Sequence, residues 1–125
     1  VNITLAWTDR ASDIRLDQNV NLTNDLDIYA MIIGLGQSYT WVGNNFYYNR
    51  DACTRDGYSL RNPSPIVWDR KNNVERINIR AADIPPGATS ITIQVVANSL
   101  TGDGINPGNS SIFQQDFALA VENAR

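Results

Sequence analysis

Apolar and polar residues alternate in short runs along most of the chain, which is the period of a half-buried strand. Val1, Ile3, Leu5 and Trp7 alternate with Asn2, Thr4, Ala6 and Thr8. Leu26, Ile28, Ala30 and Ile32 alternate with Asp27, Tyr29 and Met31, and residues 39–42 follow Gly34 and Gly36 as the second arm of a hairpin. Further strands are predicted around Ile77 and Ile79, over residues 91–95 and over residues 117–121. No stretch of useful length carries the 3.6-residue period of a helix. Asp83-Ile84-Pro85-Pro86-Gly87 predicts a tight turn, and residues 101–111 a glycine- and asparagine-rich loop. The expected fold is all-β: a jelly roll or β-sandwich of about eight mostly antiparallel strands, in one domain spanning 1–125.

Residues 44–68 break the pattern with a long run of mixed charge, aromatics and turn formers, including Cys53. Loops of that length in a compact domain are functional or carry structure of their own. Trp41, Tyr47, Tyr48, Tyr58 and Trp68 lie in or beside it, as core and cross-strand partners or as a platform for a sugar or an extended polypeptide.

Composition sharpens the picture. Eleven of the thirteen acids are Asp, fifteen residues are Asn, and Lys71 is the only lysine. Asp and Asn compete with helical hydrogen bonding and favour turns, whereas the helix-forming Glu and Lys are scarce. The absence of histidine excludes every Ser-His-Asp and Cys-His catalytic arrangement, and one cysteine excludes an internal disulfide or a thiolate zinc site. A net charge of −3 gives no reason to expect nucleic acid or an anionic membrane as partner. No apolar run approaches the ~20 residues of a membrane span. The chain is not expected to be an enzyme by itself.

Two acidic clusters remain as candidate chemistry. Asn24-Asp25-Leu26-Asp27 opens an apolar strand, and residues two apart on a strand share a face, so both carboxylates project together. Asp69-Arg70-Lys71-Asn72-Asn73-Val74-Glu75 leads into the strand at Ile77. Carboxylates, amides and loop carbonyls are hard oxygen donors of the kind calcium gathers six to eight at a time. The alternative is that Asp and Asn hydrogen-bond their own turns and hold no ion. An EF-hand is absent, since the second cluster lacks the glycine at its sixth position and has Arg80 at its twelfth.

Five strings resemble a known group. Thr4-Leu5-Ala6-Trp7-Thr8-Asp9, Asn24-Asp25-Leu26-Asp27-Ile28, Gly43-Asn44-Asn45-Phe46, Trp68-Asp69 with Asn72-Asn73-Val74-Glu75, and Gln115-Asp116-Phe117-Ala118-Leu119-Ala120-Val121 are similar, in order, to the C-terminal β-domain of secreted subtilisin-like serine proteases. The resemblance implies a jelly-roll domain, excised from a larger secreted protease, that binds calcium and supports a catalytic domain carrying the Ser, His and Asp. It further implies that Asp27 and Asp69 share a calcium ion, with the Lys71 carbonyl and groups around Asn73 and Glu75 completing the shell; Asp25, which shares a strand face with Asp27, is a further candidate ligand. Asn45 stands where the family's second calcium site has an acid. The implied partner is the catalytic domain; the alternative, motivated by the aromatics around the long loop, is a module that binds a protein substrate such as collagen, or a polysaccharide.

Overall fold

The structure is a computed structural model that describes residues 1–9, 23–49, 54–105 and 113–122. Cys53 and the end of the 101–111 loop lie outside the described residues. In chain order the strands are β1 (Asn2–Ala6), β2 (Asn24–Gly34), β3 (Gln37–Val42) and β4 (Phe46–Asn49). They continue with β5 (Thr54–Ser59), β6 (Val74–Asn78), β7 (Ile91–Leu100) and β8 (Ala118–Glu122). Every predicted strand is present. The only helical element among the described residues is one 3₁₀ turn, Ala81–Asp83, and no helix there is long and apolar enough to cross a membrane.

The strands form a β-sandwich with an attached ribbon. One sheet has the order β6-β1-β8, the other β3-β2-β7, and all these pairings are antiparallel. Their inner faces meet in a single core of Ile3, Leu5, Leu26, Ile28, Ala30, Ile32, Trp41, Ile77 and Ile79, with Trp7 at its end. The period-two rule accounts for this set, because each buried residue is two positions from the next on its strand. The inner row of β6 has one exception. Glu75 lies opposite Leu5, in the row that continues with Ile77, and is completely buried.

Turns fix the register. Between β2 and β3 only Leu35 and Gly36 are unpaired, both at positive φ (45° and 79°), as a tight twisted hairpin requires. Gly87 also has positive φ (74°), and the Ala88 N–H returns to the Pro85 carbonyl at 3.2 Å, closing the turn read from the two prolines.

The 44–68 stretch is not a structureless loop: β4 and β5 pair as a ribbon within it. Polar bonds tie the ribbon to the sandwich. The Asn78 N–H donates to Ser59 Oγ (2.8 Å), its side-chain amide donates to the Gly57 carbonyl (2.7 Å), and the Arg80 guanidinium lies 5.0 and 4.8 Å from the Tyr47 and Tyr58 rings. Trp41 is fully buried in the core, so it belongs to no surface platform. Its place opposite Ala30 explains this, because a small residue there leaves room for the indole.

Candidate metal centre

The second sheet leaves a backbone edge uncovered where β3 stops. The last β3 pair is Val42 with Tyr29, after which the Gly43 N–H still reaches the Ile28 carbonyl (3.0 Å). The chain then turns away at Asn44, whose φ is 54°. The Ile28 N–H is thereby left without a strand partner. Glu75, rising from the inner face of the other sheet, accepts it on Oε2 at 2.7 Å. Gly43 makes the approach possible, because a Cβ there would lie 2.2 Å from Glu75 Oε2.

We expect Gly43→Ala to push the carboxylate off the Ile28 amide. A buried N–H left without an acceptor costs about 1–3 kcal/mol, measurable by urea unfolding. A variant as stable as the parent would show that Glu75 is not held there.

Asp25 and Asp27 lie on the face of β2 opposite its core residues, yet both are buried (4% and 0% exposed). The 69–75 loop covers them, and the Asp69 backbone N–H bonds to the Asp27 carboxylate. The Asn98 side-chain amide donates to Asp27 Oδ2. The Asp27 and Glu75 carboxyls face each other within hydrogen-bonding reach, a contact that needs a proton on one of them. When both are ionised, Asp27 Oδ1 and Glu75 Oε1 have no donor, and neither has Asp25 Oδ1.

Proton affinities record the same crowding. Burial, opposed by the Ile28 N–H and reinforced by Asp27 and then Asp69, pushes Glu75 up to about 9. Burial, followed by the charge of Asp27, raises Asp25 to about 6, with Arg70 pulling the other way. Burial also raises Asp27, against hydrogen bonds from Asn98 and Glu75.

Asp69 behaves differently. Burial works against its charge, but donors outweigh burial and hold it below the ordinary carboxylate value. These are the side-chain amides of Asn72 (2.6 Å) and Asn44 (2.7 Å) and the N–H groups of Lys71 (2.9 Å) and Asn72 (3.3 Å). Asp69 therefore closes its own turn, the ordinary use of an Asp at such a position. It adds negative charge beside Asp27, but its oxygens are already engaged.

The structure thus brings Asp25, Asp27, Asp69 and Glu75 into one charge cluster. Lys71 is exposed, and its N–H serves the Asp69 turn. Asn73 is engaged elsewhere: its amide donates to the Trp7 carbonyl (2.8 Å) and its carbonyl accepts the Trp7 N–H (3.1 Å). Asn45 bonds the Leu60 N–H through its carbonyl (2.8 Å) and lines a cleft of about 400 Å³ with Gly43, Asn44, Trp68 and Asp69. Among the described residues no three His, Cys, Asp or Glu side chains form a ready-made metal-ligand set. What the cluster offers, once its carboxyls are ionised, is three carboxylate oxygens shut from water and without donors, a donor chemistry that suits a hard divalent cation.

Sequence reasoning overlooked three participants. Gly43 and Asn44 sit in one of the quoted strings but carry no donor pattern of their own. Asn98 has no local signal, because its position depends on strand register. Comparison with protein-family models, curated proteins and solved structures finds no match to this chain.

Proposed function

We propose that the chain is a non-catalytic, calcium-binding β-domain that stabilises a secreted subtilisin-like serine endopeptidase. The observation that carries the calcium reading is the set of buried oxygens on Asp25, Asp27 and Glu75 that have no donor once these groups are ionised. Unpaired buried carboxylates are costly, and a divalent ion offsets that cost where protons or arginines do not. The protease partner rests on the five resembling strings, which supply a strand or a site residue each. The alternative, a substrate-binding module, loses Trp41 from its aromatic platform and retains the exposed rings of Tyr48 and Tyr58.

Extracellular calcium modules bind with Kd of about 10⁻⁴–10⁻³ M. At ten times Kd the ion contributes about 1.4 kcal/mol, or roughly 5 °C in Tm for a chain of this size. EDTA is expected to lower the Tm by that amount, and Asp27→Ala to remove the difference between calcium and EDTA. Identical melting curves in calcium and in EDTA for the unaltered chain would rule the reading out.

A further inference from the structure

Asn98 reaches the cluster from neither acidic segment. β7 pairs with β2 regularly as far as Ala97 opposite Leu26, and pairing resumes with Ser99 opposite Asp25. Asn98 is the extra residue of a bulge, a feature that turns a side chain out of the ladder and re-aims it. Here it is aimed at Asp27. Asn98 is solvent-exposed whereas Asp27 is fully buried, so the amide covers the carboxylate from the water side. Val96, opposite Asp27, and Ala97 carry no side-chain oxygen, so without the inserted residue β7 would bring no such donor to this position.

The two ends of a primary amide have nearly the same shape, and a half-turn about the last side-chain bond exchanges donor for acceptor. A cation held by Asp27 repels the NH₂ end of Asn98 and attracts the carbonyl end. Calcium shells combine carboxylates with neutral carbonyl oxygens, and the carboxylates of Asp25, Asp27 and Glu75 already exceed the charge of one divalent ion.

Building on the calcium reading above, we propose that Asn98 is the neutral oxygen ligand of the site: cation binding turns its amide so that Oδ1 replaces Nδ2 at the Asp27 carboxylate and closes the solvent side. The bulge is then a binding feature, since it supplies this ligand.

Calorimetric titration of calcium into the chelator-treated chain tests this with Asn98→Ala and Asn98→Asp. Asn98→Ala is expected to weaken binding about tenfold. Asn98→Asp cannot donate but offers an anionic oxygen, and is expected to bind at least as tightly as the unaltered chain. If Asn98→Asp weakens binding as much as Asn98→Ala, Asp27 needs the amide hydrogens and the proposal is overturned. An unchanged affinity in Asn98→Ala overturns it alone and leaves the calcium reading standing, whereas no binding by the unaltered chain overturns both. Should the added carboxylate prevent folding of the metal-free Asn98→Asp variant, the unaltered chain gives the answer by NMR. On calcium saturation its Asn98 NH₂ protons should lose the hydrogen-bonded shift and exchange faster with water, and protons that keep both properties would refute the turn of the amide.

Discussion

In calcium-free buffer, raising the pH from 5 to 8 is expected to cost this domain about 4 kcal/mol of stability, the reverse of ordinary acid denaturation. The sign follows from Glu75, which the fold holds at about 9 against an ordinary 4.5. Between those values the folded chain keeps a proton that the unfolded chain has released. Its contribution is complete below the ordinary value and declines as the pH climbs towards 9. Asp25, held at about 6 against 3.8, adds to the same slope at its lower end. Asp69 has the opposite sign, but its depressed value places its effect on the acid side of this window. Calcium competes with these protons, so calcium stabilisation should grow with pH and largely cancel the loss. Urea unfolding at four pH values, with EDTA and with calcium, is the measurement. A flat profile in EDTA would mean that the carboxyls are hydrated after all.

Glu75→Gln is expected to show the second large effect. The substitution keeps an oxygen for the Ile28 N–H, removes the need to hold a proton that the unfolded chain releases, and gives Asp27 a donor that does not depend on pH. Metal-free stability at pH 8 should rise by about 2–3 kcal/mol, with the pH slope flattened and the calcium response lost. Retention of a steep slope would place the responsible proton on Asp25 or Asp27. A gain in stability with a loss of ion response marks Glu75 as a residue kept for binding at the expense of the bare fold.

Most of the sandwich was legible because period two is a strong local signal. The alternation Ile3-Leu5, Leu26-Ile28-Ala30-Ile32 and Ile77-Ile79 specifies which side of each strand is buried before any pairing is known. Glu75 falls in that same row by parity, two residues before Ile77, and its inward direction was therefore readable from the sequence. Its hydrogen bond was not, since the free Ile28 amide exists only where another strand ends. Likewise Asp25 and Asp27 were readable as a pair on one face. Their burial depends on the 69–75 loop folding over them, and whether Asp69 serves an ion or its own turn depends on donors that Asn44 brings from 25 residues away. The ribbon of β4 and β5 was missed because Tyr47, Tyr58 and Arg80 stabilise it by stacking, which leaves little alternation to read.

Trp7 joins the two acidic segments before any ion arrives. Its backbone forms the two bonds with Asn73 in the covering loop, and its indole Nε1 donates to the carbonyl of Asn24 (3.0 Å), the residue immediately preceding Asp25. One residue, through its backbone and its ring together, thus sets the separation of two pieces of chain that would otherwise have to be drawn together against mutual repulsion. The entropy of bringing these segments together is met during folding, so under the proposed calcium reading a cation would spend little of its affinity on gathering them.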